Sequence, residues 1–153
     1  MTAYFNQGIS FFQQEKDSQM EIFTQLAEAL LQQDLVNEHF LENVIKREEI
    51  FPTGLNINGI GVAIPHTDSE YVKTSQIAFM SVRKPIIFYE MGTTDKAVPV
   101  QLIFMLALKE AHEQLGMLQK LIEMFQQPKV LAELLAVKEQ QDFQKIIARY
   151  DLI

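Results

Sequence analysis

Apolar residues recur with a helical period at Met20, Phe23, Leu26 and Leu30, directly after Asp17-Ser18-Gln19-Met20-Glu21. That pattern predicts a helix opened by a capping box, with Ser18 serving the N3 amide and Glu21 reaching back. A Met and Phe stripe of this kind reads as core. A second helix is expected from near Asn37 to Phe51, with Phe40, Leu41, Val44, Ile45 and Phe51 inward and Pro52 stopping it. The two should pack as an antiparallel pair. Before them, residues 1–16 have no clear period, although Ile9, Phe11 and Phe12 suit a short strand.

The period changes in the middle of the chain. Ile60, Val62 and Ile64 alternate with Gly61 and Ala63, the period of a strand, and Pro65 ends it because it has no N–H for a ladder. Ser75 to Val82 reads as a strand apolar on both faces, and Ile86 to Tyr89 as a shorter one after Lys84-Pro85. Gly92 to Lys96 is a turn. Val98 to Leu108 is the strongest strand and therefore central, with Pro99 suggesting that its first residues lie outside the ladder. Leu115, Leu118, Ile122 and Phe125 then form a third helix ended by Gln127-Pro128. Two short helices follow, turning Val130, Leu131, Leu134 and Leu135, then Phe143, Ile146, Ile147 and Tyr150 inward. Helices at both ends of a set of strands predict an α/β fold: a mixed β-sheet of about five strands sandwiched by helices.

At 153 residues, 48% hydrophobic and 22% charged, the chain is expected to be one domain spanning 1–153 with a real core. Lys and Arg number 13 against 20 Asp and Glu, a net charge of −7, so most of the surface repels the phosphate backbone of a nucleic acid. Cysteine is absent, which removes disulfides, thiolate catalysis and Cys-based metal sites, and fits a reducing compartment. The N-terminal residues carry no basic stretch followed by an apolar run, and Leu102 to Leu108 is far shorter than the roughly 20 residues of a membrane helix. No direct membrane insertion and a cytoplasmic location are expected.

Gly59-Ile60-Gly61-Val62-Ala63-Ile64-Pro65-His66-Thr67 is the stretch that carries chemistry. It presents His66 at a strand end, on a rigid element yet at a loop. It is no dinucleotide fingerprint, because Ile64 holds the third glycine position and a proline follows in place of a helix start. His39, between polar residues on the second helix, pairs at most with Glu42 and reads as solvated surface rather than a metal ligand.

Gly61-Val62-Ala63-Ile64-Pro65-His66 resembles the phosphohistidine signature of the EIIA components of the bacterial phosphoenolpyruvate:sugar phosphotransferase system, fructose/mannitol type. With Arg47-Glu48-Glu49-Ile50-Phe51-Pro52-Thr53-Gly54-Leu55 before it, the stretch is most similar to the galactitol-specific subgroup. The resemblance runs from about Ser18 to the end. It implies a phosphotransferase that needs no metal or organic cofactor: His66 accepts a phosphoryl group from the phosphocarrier protein HPr and passes it to a cognate EIIB, which with a membrane EIIC takes up a sugar or polyol. In the family the phosphorylated atom is Nε2, with Nδ1 held by the backbone. An imidazole suits the task, being largely unprotonated near neutral pH and a fair leaving group.

The transferred group spreads negative charge over three oxygens, so a cation is expected near it. Arg47 matches the arginine that the family places beside its histidine; the plain alternative is a solvated helix-end arginine. The family also carries a second histidine before a Leu-rich helix, where this chain has Ala111-His112-Glu113-Gln114-Leu115. Alignment on Leu115 puts Gln114 at that place, as in the galactitol-like subgroup, and leaves His112 two residues early; both stay candidates. Thr67 replaces the usual small residue and either donates to phosphate or caps the turn. Asp68, a like charge, should face outward. The chief alternative function is an EIIA-like regulatory protein whose phosphorylation at His66 controls binding to a protein partner without sugar transport. A hydrolase using His66 as general base lacks a second catalytic group in the sequence.

Overall fold

A computed structural model describes residues 3–93 and 95–150. Its framework is a five-stranded mixed sheet in the order β1-β4-β5-β3-β2, with β1 Ser10–Gln14, β2 Gly54–Ile57, β3 Ile60–Ala63, β4 Gln76–Tyr89 and β5 Ala97–Ala107. β5 runs antiparallel to β4 and parallel to β3, and β1 is parallel to β4. One face is covered by helices α1 Gln19–Gln32 and α2 Phe40–Ile50, the other by α3 Ala111–Phe125, α4 Val130–Ala136 and α5 Gln140–Arg149. Alternation along β5 divides the core: Leu102, Phe104 and Leu106 meet the C-terminal helices, whereas Ile103, Met105 and Ala107 meet α1 and α2. This is the expected sandwich, with β5 central and buried on both faces.

Several local expectations are corrected. Ser75–Val82 and Ile86–Tyr89 are not separate strands but one strand, β4, with an irregularity between Ser81 and Ile86 that Gln101 stitches by donating to the carbonyls of Val82 and Arg83. Pro99 lies inside the ladder, opposite Ile87. The bond from Glu90 N–H to the Lys96 carbonyl sets the antiparallel alternation, and it puts Ile87–Pro99 at a non-hydrogen-bonded rung, where β4 asks for no N–H from residue 99. α2 starts at Phe40 rather than Asn37, because the Asn37 side chain accepts the His39 N–H and holds the chain in a turn. Phe51, expected inward, is 58% exposed: it leaves the helix as the C-cap residue. Met20 and Leu115 are also exposed. Strand β2 has no counterpart in the sequence reading, although Asn58-Gly59 marks it; both residues have positive φ, 52° and 87°, and join β2 to β3 as a two-residue hairpin turn.

Candidate functional site

The site grows from the end of β3. The ladder with β5 continues past Ala63: Leu106 N–H donates to the Pro65 carbonyl at 3.0 Å, and His66 bridges Leu106. This ties the histidine backbone to the buried half of the central strand β5. Its ring is partly buried, and Nδ1 lies 2.9 Å from the Ile64 carbonyl. A carbonyl only accepts, so Nδ1 carries the proton and Nε2 keeps its lone pair. Burial holds the imidazole below its ordinary 6.5, the Ile64 bond opposes that, the Arg47 charge lowers it further and Asp68 raises it. The ring is thus disposed to be neutral and nucleophilic.

Arg47 comes from the last turn of α2. Its guanidinium lies 4.7 Å from the Phe51 ring centroid, and Nη1 is 3.5 Å from Asp68 Oδ1. Arg47 Nε is buried and has no hydrogen-bond partner among the described residues. Asp68 is exposed, turned to solvent and to Arg47. Thr67 is 5% exposed, and its carbonyl accepts from Gln114 Nε2 at 2.8 Å. Gln114 therefore ties α3 to the His66 loop and has one amide hydrogen left over. His112 lies two residues earlier, about 200° around the helix. It lines a shallow cleft with Tyr4, Gly116 and Lys120 instead. His66, Arg47, Thr67 and Gln114 thus surround one loop, and His112 looks elsewhere.

Two participants in this region escaped the sequence reading. Glu48 is 5% exposed, and Thr53 donates to it twice, N–H to Oε2 and O–H to Oε1, each at 2.8 Å. Thr53 Oγ1 in turn accepts the Ile64 N–H at 3.1 Å. Burial pushes the Glu48 carboxyl up from 4.5 to about 7 against the two Thr53 bonds. Between those values the folded chain holds a proton that the unfolded chain has released, so this group makes stability fall as pH rises from 4.5 to 7, by roughly 3 kcal/mol in all. His66 acts oppositely, since its lowered folded pKa costs stability as pH falls through 6.5. Glu48→Gln removes the first effect. The unfolding free energy of Glu48→Gln minus that of the parent should therefore be larger at pH 8 than at pH 5 in urea titrations; a pH-independent difference would show that Glu48 does not hold the proton.

Helices on both faces of a mixed sheet with this topology define the IIA architecture of mannitol-type sugar phosphotransferase proteins. The structure of enzyme IIA-Mtl from Escherichia coli, solved in complex with phosphorylated enzyme IIB-Mtl, superposes with a TM-score of 0.73 at 16% identity over 97% of each chain. The family model for the phosphoenolpyruvate-dependent sugar phosphotransferase system, EIIA 2, matches residues 3–150, and the chain belongs to that family. The galactitol-specific EIIA component of E. coli strain K12 is 29% identical over 142 residues, 92% of this chain and 91% of that one. The nitrogen regulatory protein IIA-Ntr of Neisseria meningitidis is 27% identical, with a TM-score of 0.70 over 91% of this chain and 92% of that one. Among the described residues no helix is long and apolar enough to cross a membrane.

Proposed function

We propose that this chain is a cytoplasmic phosphocarrier that takes a phosphoryl group from phospho-HPr onto His66 Nε2 and passes it to a cognate EIIB, serving uptake of a polyol through a membrane EIIC. The observation that carries the reading is the ring geometry: with Nδ1–H donating to the Ile64 carbonyl, Nε2 is the free nucleophile beside Arg47. The Nε2 lone pair forms the bond to phosphorus as the bond to the donor breaks and its electron pair leaves with the donor. The positive charge left on the ring is shared with Nδ1–H and stabilised by the Ile64 carbonyl. Transfer to EIIB reverses this, and the electron pair returns to Nε2. No step calls for a metal or organic cofactor.

Arg47 is assigned the phosphoryl oxygens, with its unpartnered Nε as a donor. Gln114 is assigned to the loop through Thr67, and its second amide hydrogen is free for an oxygen. Arg47→Ala should slow transfer about a hundredfold, as loss of one oxyanion donor does. The melting temperature should hardly move, because the side chain is 38% exposed and its Asp68 contact is weak. Equal rates would demote Arg47 to a surface residue. An apolar concavity lined by Ile50, Phe51, Pro52 and Met91 adjoins Arg47 and suits transient docking of a protein donor or acceptor.

The galactitol-specific relative makes galactitol the first substrate to try. Likeness to a nitrogen regulatory IIA favours the second reading, in which phosphorylation of His66 governs a protein partner without transport. Incubation with phosphoenolpyruvate, enzyme I and HPr, followed by intact-mass analysis, tests both. One acid-labile phosphoryl group that a cognate EIIB then removes supports the transport carrier. A phosphoryl group that no EIIB removes supports the regulator, and no uptake from phosphorylated HPr overturns both.

A further inference from the structure

The last turn of α2 faces two ways. Arg47 reaches the site, whereas Glu48, one residue on, enters the core with no cation against it among the described residues. Thr53 engages both its carboxyl oxygens. The direction of the next bond is settled by chemistry: a backbone N–H only donates, so Thr53 Oγ1 accepts from Ile64 and its own proton goes to Glu48.

Position makes this chain of bonds matter. The β2–β3 register pairs Gly54 with Ala63, so Thr53 stands opposite Ile64, one rung past the last regular pair. There the Thr53 side chain receives the Ile64 N–H. Pro65 offers no N–H, and its carbonyl is held by Leu106. The Ile64 carbonyl is therefore fixed from both sides, by Thr53 through the N–H of its own residue and by Leu106 through the next carbonyl. It is this carbonyl that receives His66 Nδ1–H.

We infer that Glu48 and Thr53 are positioning residues for His66: the chain from the Glu48 carboxyl group through the Thr53 hydroxyl to the Ile64 backbone holds the carbonyl that selects the Nδ1–H tautomer, and so keeps Nε2 reactive. The opposite tautomer would put the proton on Nε2 and a lone pair against the carbonyl. The inference deepens the phosphocarrier reading and rests on it for its rate effect, but the tautomer is a property of the unphosphorylated chain.

Long-range proton–nitrogen NMR of His66 in the full chain is the test, paired with single-turnover transfer from phospho-HPr. The parent should show a protonated Nδ1 and an unprotonated Nε2. Thr53→Val, close in shape but without the hydroxyl, should lower the Nδ1–H to Nε2–H ratio several-fold and slow transfer about tenfold or more, as a displaced reacting group does. Thr53→Ser should restore both. If Thr53→Val does not fold, Glu48→Gln decides by the same readouts, since glutamine offers one acceptor where Thr53 needs two. A folded Thr53→Val or Glu48→Gln with the parent tautomer ratio and rate overturns the inference, leaving the pair as a plain support of the α2–β2 connection. Failure of the parent to accept phosphate overturns the carrier reading instead, and the tautomer ratios alone then decide this one.

Discussion

His66→Ala is expected to take up no phosphoryl group from phospho-HPr while remaining folded. No other imidazole can replace it. His39 is an exposed residue next to Glu38 and Glu42, and His112 lines a cleft on the far side of α3 from Gln114. The cost in stability should be small, about 1 kcal/mol, because the ring is only partly buried and loses a single bond to the Ile64 carbonyl. The pH profile adds a second readout. The parent loses stability as pH falls through 6.5, since the unfolded chain protonates this ring before the folded one does. His66→Ala has no such loss, so the parent's advantage over it should shrink below pH 6.5. Intact mass after incubation with phosphoenolpyruvate, enzyme I and HPr checks the first outcome, and urea titration at pH 5 and 8 checks the second. A variant that still carried an acid-labile phosphate would move the nucleophile to another residue.

What could be read ahead of the structure was whatever a short stretch decides for itself. The alternation Ile60-Val62-Ile64 closed by Pro65 put His66 at a strand end, and the double-faced apolar run of Val98 to Leu108 placed β5 at the centre. Strand β2 was missed, although its signal was local: Asn58-Gly59 is a two-residue turn with positive φ, and the run Gly54–Ile57 before it is only 4 residues long. Phe51 was misplaced because the helical period was carried one residue past α2, where the chain leaves the helix at φ −126°. The burial of Glu48 is hidden from the sequence for a different reason. In Arg47-Glu48-Glu49 a charge at a helix end reads as solvated, and nothing in the period says which of the three turns inward. Its burial depends on Thr53, five residues away beyond Pro52, and on Ile64 in another strand. Likewise the choice between His112 and Gln114 turns on where α3 begins. Its N-cap at Glu110, fixed by a capping box with Glu113, rotates Gln114 toward Thr67 and His112 away.

Gly61→Ala should be the most damaging of the glycine-to-alanine substitutions. A Cβ at position 61 would lie 1.9 Å from the Pro99 carbonyl oxygen, 2.7 Å from its carbon and 2.8 Å from Val100 Cα, all backbone atoms of β5. Side-chain rotation cannot relieve such contacts, so β3 must part from the central strand. Overpacking usually costs 1–3 kcal/mol, and backbone against backbone puts this case at about 3 kcal/mol or more. That corresponds to a fall of roughly 10 °C in melting temperature for a chain of this size. Gly59→Ala is the control two residues away: nothing lies within 4 Å of the added methyl, and only the positive φ of 87° is paid, about 1 kcal/mol. The effect should also reach the site. Gly61 pairs with Val100, and the same two strands run on to the Leu106–Pro65 bond that anchors His66. Any Gly61→Ala chain that remains folded should therefore lose both the Nδ1–H preference of His66 and phosphoryl transfer, whereas Gly59→Ala keeps both. Thermal unfolding of the two variants, with the His66 nitrogen spectra, separates these outcomes. A Gly61→Ala chain as stable as Gly59→Ala would mean that β3 and β5 are not held at the close approach that delivers His66 to its carbonyl.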